Sequence, residues 1–129
     1  MIVCDTSALI AILKVEPDSL TFRRAIAGAR PIGIPASVYL EAAMVAYGLK
    51  LGRGELDAII AASTMTFIPL DEAITRRAAD AFARYGRGTG HPAALNFGDC
   101  IAYATAMHLD VPLLFKGDDF RHTDVKVAL

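Results

Sequence analysis

Met1-Ile-Val-Cys-Asp-Thr-Ser-Ala-Leu-Ile-Ala-Ile-Leu-Lys14 is the stretch that decides how this chain is read. Its first four residues are apolar and too few for a helix, so Met1–Cys4 reads as a short buried strand. Asp5, Thr6 and Ser7 follow, all of them residues that cap helix N-termini. Ala8–Lys14 then gives a short apolar helix that ends near Glu16-Pro17-Asp18. A strand that passes directly into a helix, with an acid at the joint, is the opening unit of a parallel α/β fold.

Working outward, the same alternation recurs. A helix from Pro17 or Asp18 to about Ala29 can turn Leu20, Phe22 and Ile26 inward. Pro31–Ile34 reads as a second strand. Pro35 suits a first helical turn, where a missing N–H costs nothing, and Ser37–Leu49 continues that helix to the breakers Gly48 and Gly52. Arg53–Thr64 is a further helix and Thr66–Leu70 a strand. Asp71 caps a helix over Glu72–Tyr85. Gly86–Pro92, with three glycines and a proline, is a loop. Asn96 can cap a helix over Phe97–His108. Val111–Lys116 reads as the last strong strand, Gly117-Asp118-Asp119 as a turn, and the tail from Asp124 to Leu129 as an edge strand. The expected fold is α/β, an αβα sandwich around a short, mostly parallel sheet, with residues 1–129 forming one domain.

The bulk numbers agree. A chain of 129 residues that is 54% hydrophobic has ample material for a core. No apolar run reaches the ~20 residues of a membrane span, and the N-terminus lacks a basic leader region, so a cytoplasmic protein is expected. Cys4 and Cys100 form no CxxC pair and read as small buried thiols. The net charge of −1 looks wrong for a nucleic-acid binder. Once Asp5, Glu41, Asp99, Asp118 and Asp119 are set aside as a suspected site, however, 13 Lys and Arg outnumber the acids that remain.

Those five acids come from four distant stretches, and all fall where an open parallel sheet binds its ligands, beyond the carboxyl ends of the strands. Asp5 ends the first strand. Glu41 lies in the first two turns of the helix after the second strand, in the otherwise apolar run Ser37–Leu49. Asp99 opens the helix after the glycine loop. Asp118 and Asp119 follow the last strand. Each has a plain structural reading: Asp5 as a cap, Asp99 as a partner of the helix dipole, Asp118 or Asp119 as a turn residue. Gathered together they would repel one another, and a cation removes that repulsion. All-oxygen donors without a matching His/Cys set favour Mg²⁺, with Mn²⁺ as a substitute. Such an ion suits phosphodiester hydrolysis. Arg84, Arg87 and His91, on or beside the glycine loop, are candidate RNA-backbone contacts, with a solvated basic face as the competing reading.

These pieces also carry a resemblance. Ile2–Leu9 (IVCDTSAL), Glu41 in the helix after Ile-Pro-Ala-Ser, His91–Ala106 (HPAALNFGDCIAYATA), and Pro112–Phe120 (PLLFKGDDF) with Thr123-Asp124 resemble PIN-domain proteins, specifically toxins of the VapC type. The resemblance spans nearly the whole chain, and HPAALNFGDC is its most specific part. It implies a compact αβα domain that cuts RNA with Mg²⁺ through Asp5, Glu41 and Asp99. For the fourth acid it offers either Asp118, the closer to the strand and so preferred, or Asp119. It implies that Thr6 and Ser7 orient the first carboxylate or a water. It further implies a VapB-type antitoxin, a homodimer and a structured RNA target such as tRNA or rRNA.

Two rival functions are weighed. A doubly wound Mg²⁺-dependent phosphatase often carries a DxD nucleophile, but here Thr6-Ser7 follow Asp5. A non-catalytic RNA-binding module of the same fold needs no intact acid set. For an inhibitor, the first helices offer Leu9, Ile12, Leu13, Phe22, Val45 and Leu49 as a possible apolar landing place.

Overall fold

The computed structural model describes all residues, 1–129. Four strands, β1 (Ile2–Cys4), β2 (Ile32–Pro35), β3 (Thr66–Ile68) and β4 (Leu113–Leu114), form one sheet in the order β3-β2-β1-β4, and every pairing is parallel. The helices are α1 (Thr6–Leu13), α2 (Ser19–Gly28), α3 (Ala36–Gly48), α4 (Gly54–Ala62), α5 (Glu72–Tyr85) and α6 (Phe97–Leu109). A short 3₁₀ turn spans Asp119–His122. The α/β architecture expected from the alternation is the one observed.

Strand β2 is buried along its whole length, as a strand covered on both faces must be. Edge strand β3 is largely exposed. Helix α6 packs across β1, β2 and β4 and carries α5 on its other side, while α1 holds α2, α3 and α4. One core of 35 buried residues runs through these layers, with Val3, Leu9, Ile34, Leu56, Leu95, Leu113 and Leu114 fully covered.

Two expectations are corrected here. The last strand is two residues long rather than six. Strand β1 leaves the ladder at Asp5 to start α1, so β4 has no partner beyond Leu114, and the next inward donor, Lys116 N, turns to Ser7 Oγ at 2.9 Å. The tail is not a full strand either. It meets β4 only at Val127↔Leu113, through Leu113 N donating to Lys126 O (2.8 Å) and Ala128 N to Leu113 O (3.0 Å).

The apolar landing place is also revised. Leu9, Ile12, Leu13 and Phe22 are core residues, at most 5% exposed. Of that set only Val45 and Leu49 reach the surface. The large apolar side chains left in water lie elsewhere, among them Leu40, Met44 and Phe97.

Strand order matters for the site. From β1 the chain steps outward to β2 and β3, then returns on the far side of β1 to form β4. The boundary between β1 and β4 is therefore a topological switch point, and the crevice beyond its carboxyl ends is where such sheets bind ligands.

Candidate active site

Asp5 stands at that switch point, and local chemistry holds it there. It caps α1, with Oδ2 accepting from Ser7 N (3.0 Å) and Ser7 Oγ (2.6 Å). Because Lys116 N donates to the Ser7 oxygen, the Ser7 hydroxyl proton is directed at Asp5. Ser7 thus ties the ends of β1 and β4 together and fixes the carboxylate between them. Asp5 N donating to Leu114 O (2.9 Å) completes the joint. Asp5 is only 4% exposed, and this burial pushes its carboxyl above the usual range against the bonds from Ser7 and Thr6.

Asp99 is held just as locally. Asn96 Oδ1 accepts from Asp99 N (2.9 Å) and Asp99 Oδ2 accepts from Asn96 N (3.0 Å), a reciprocal capping box at the start of α6. Capping and a functional role are compatible in both acids, because Ser7 bonds to Oδ2 of Asp5 and Asn96 N to Oδ2 of Asp99. The Asp99 carboxyl is pushed up to about 6, first by burial, then by the negative charges of Asp5 and Asp119, while Arg87 pulls the other way. Glu41, half-buried on α3, is raised by burial and by Asp5 and Asp99, with a weak opposing contact from Thr6. Asp5, Glu41 and Asp99 therefore share one electrostatic field.

At the fourth position both Asp118 and Asp119 are exposed. Asp118 is 89% exposed at its side chain and leans toward Arg121 at 4.0 Å. The acid whose charge reaches Asp99 is Asp119. Gly117, at φ +99°, turns the chain sharply after β4, and the 3₁₀ turn then begins at Asp119.

Arg84, Arg87 and His91 are separated. Arg87 acts on Asp99. Arg84 lies over the Tyr85 ring and pairs with Asp124 at 3.5 Å. His91 accepts from Ala93 N on Nδ1 (3.1 Å) and meets Tyr85 edge-on. The glycine loop is closed on itself by Arg87 N to Leu95 O and Leu95 N to Tyr85 O, each 2.9 Å. The nearby cation Lys116 is turned to Glu16 and Asp18. Cys4 and Cys100 are free and buried.

One site residue escaped sequence reasoning. A Cβ on Gly98 would fall on the carboxyl group of Glu41. Glycine in a first helical turn is a poor helix former, which is the signal that could have marked it: a glycine where the backbone does not need one implies close approach by a neighbour. Gly98→Ala should keep the fold, since Glu41 is flexible and can swing away. It should lower activity by about a hundredfold, the scale expected when a site group moves by an ångström. Pairing it with Glu41→Asp, whose shorter side chain leaves room, should give less loss than the two single effects combined.

Cation chemistry fits the donor set, which is all oxygen and mutually repelling, with Thr6 Oγ1 buried beside it and without a hydrogen-bond partner. No three acidic, His or Cys side chains converge on one point in this structure.

Comparison with known proteins agrees with the fold. The PIN domain family matches residues 2–126, and the chain belongs to that family. Among its relatives are a VapC ribonuclease of Mycobacterium bovis and ribonuclease VapC28 of Mycobacterium tuberculosis, each 43% identical over 98% of this chain and 97% of the relative. Ribonuclease VapC of Mycolicibacterium smegmatis is 42% identical over 95% and 96%. A toxin–antitoxin complex from Klebsiella pneumoniae shares the fold at a TM-score of 0.72 and 20% identity, covering 93% of this chain and 90% of that one. VapBC2 from Rickettsia felis, solved with a promoter DNA fragment, does so at 0.70 and 16%, covering 98% and 96%.

Proposed function

We propose that this chain is the toxin of a toxin–antitoxin pair and acts as a metal-dependent endoribonuclease. One observation carries the reading: Asp5, Glu41 and Asp99, from three separate elements, are brought into one field at the switch point. Asp5, Glu41, Asp99 and Asp119 would hold the cation, Mg²⁺ or Mn²⁺, with their side chains drawn together from the positions they take here. When bound, the ion polarises a phosphoryl oxygen and lowers the pKa of water. Ser7 orients Asp5, and Thr6 offers its free hydroxyl toward Glu41. Arg87 receives the RNA backbone beside the acids. The substrate is a structured cellular RNA such as tRNA or rRNA, so cutting it stops translation. A VapB-type antitoxin restrains the enzyme, which works as a homodimer in the cytoplasm. No helix is long and apolar enough to cross a membrane.

The test is an assay of the purified protein on total RNA with Mg²⁺, Mn²⁺ or EDTA, followed by sequencing of the new RNA ends. Metal-dependent internal cuts are expected. Hydrolysis of phosphomonoesters alone would favour the phosphatase reading, and RNA binding without cuts the non-catalytic one.

The choice of fourth acid has its own test. Asp119→Asn should lower activity by about tenfold or more, as loss of a group supporting a metal site does. Asp118→Asn should change it little. The reverse order would place the turn out of phase by one residue. Arg87→Glu should weaken RNA binding and flatten its salt dependence, because fewer counterions are released. The same change at Arg84 should do less, since that side chain is already paired with Asp124.

A further inference from the structure

We propose that Asp124 is a positioning residue of the active site: clasped by Tyr103 and Tyr85, it lays the turn after β4 along α6 and so keeps Asp119 beside Asp99. This rests on the reading of Asp119 as the fourth acid and adds what holds it in place. Gly117, Asp118 and Asp119 are all exposed, and Gly117 has φ +99°. The turn's own backbone bonds, Arg121 N to Asp118 O (2.9 Å) and Thr123 N to Phe120 O (3.1 Å), close it on itself and tie it to no helix.

The tie comes from Asp124. Its Oδ1 accepts from Tyr103 Oη on α6 at 2.5 Å and from Tyr85 Oη on α5 at 3.3 Å, and Arg84 approaches its Oδ2 at 3.5 Å. Between Gly117 and Val125, the hydrogen bonds to the helices all fall on this one side chain. Tyr85 and Tyr103 are buried and meet edge-on at 5.5 Å, so the clasp is built into the seam between α5 and α6. The bond from Tyr103 holds the Asp124 carboxyl below its usual range, and the clasp is therefore charged at neutral pH.

Helix α6 presents Asp99 and Tyr103 four residues apart on one face, about 6 Å along its axis. The turn brings a matching pair alongside: the charge of Asp119 reaches Asp99, and Asp124 meets Tyr103. Between them Phe120 is buried against Phe115. One apolar plug lets a short turn pivot, and a second tie stops it. The tail beyond has anchors of its own. Val125 is buried, Leu113 N donates to Lys126 O (2.8 Å), and Lys126 pairs with Asp110 at 2.8 Å. Asp124 is thus not needed to hold the tail, and its clasp acts on the turn before it.

The test is calorimetric Mn²⁺ titration of the full chain, with amide hydrogen exchange of the metal-free protein and thermal melts beside it. Asp124→Ala should weaken Mn²⁺ binding about tenfold, the scale of a partner that orients a metal-holding group. It should speed exchange at the Arg121 and Thr123 amides while α5 and α6 stay protected. Asp124→Asn keeps an oxygen that can accept from both tyrosines and should recover most of the affinity. Tyr103→Phe removes the same bond from the other side, and carries the test should Asp124→Ala fold poorly. On RNA, both should lower kcat and leave KM nearly unchanged. The deciding comparison is in an Asp119→Asn background. What the clasp positions is already gone there, so neither Asp124→Ala nor Tyr103→Phe should weaken Mn²⁺ binding further. A second loss of similar size in that background overturns the positioning role. So does unchanged affinity in the single variants, even with a lowered melting temperature, which would make Asp124 an anchor of the tail alone. A wild type that binds no Mn²⁺ overturns instead the metal reading on which this one rests, and the first titration shows it.

Discussion

Asp5→Asn is expected to abolish RNA cleavage while leaving the protein folded and, without metal, slightly more stable. Asparagine keeps an oxygen that can accept from Ser7, so the cap of α1 survives. What disappears is a charge that burial opposes. The raised carboxyl of Asp5 means that the folded state disfavours the charged form, so neutralising it relieves the fold. Changes in groups that merely support a metal site lower affinity or activity about 10- to 100-fold, and removal of a direct holder should exceed that range. Asp99→Asn should behave alike, because asparagine can also rebuild the capping box with Asn96. Cleavage assays and calorimetric Mn²⁺ titration, read beside thermal melts, check this. Full activity in either variant would remove that acid from the site. Lost activity with a lowered melting temperature would mean that its role is only structural.

The metal-free protein should lose stability as pH rises from about 4 to 7. The sign follows from Asp99, which titrates at about 6 when folded against an ordinary value of 3.8. Between those values the folded state holds a proton that the unfolded chain has released, so raising pH favours unfolding. Below both, the two states are protonated alike and the penalty vanishes. Asp5 and Glu41 are raised for the same reason and add in the same direction. Saturating Mg²⁺ should reverse the slope, because only the charged carboxylates bind it and binding stabilises the folded state. The melting temperature should therefore fall by several degrees, on the order of 5 °C, across this window in EDTA and rise across it in Mg²⁺. Asp99→Asn should flatten the EDTA curve. A metal-free protein that gains stability between pH 4 and 7 would contradict the shared field at the acids.

The sequence by itself determined the alternation of strands and helices and the places where helices begin. Asp5, Asp71 and Asn96 are caps in the structure as in the reading, because a cap acts on a backbone donor two or three residues away and needs no distant partner. The span of α5 was legible for the same reason: a capping Asp71 at one end and Gly86 after the other. Helix and strand order also placed the acids at one edge of the sheet, since a parallel α/β unit returns each strand end to that edge.

Tertiary structure decided which of those groups meet. Asp118 and Asp119 are equivalent as letters, and only the folded chain shows that the charge of Asp119 reaches Asp99. Gly98 reads as a weak helix residue until the Glu41 carboxyl is found lying over it. The apolar helices show the same limit. Leu9 and Ile12 on α1 are buried while Leu40 and Met44 on α3 are exposed, although all four are large apolar residues on short apolar helices. A helix apolar around most of its circumference carries no stripe to say which side faces inward. That choice falls to the neighbours: α1 is enclosed by α2, α3 and α4, whereas α3 is left with one side to water, beside the acids.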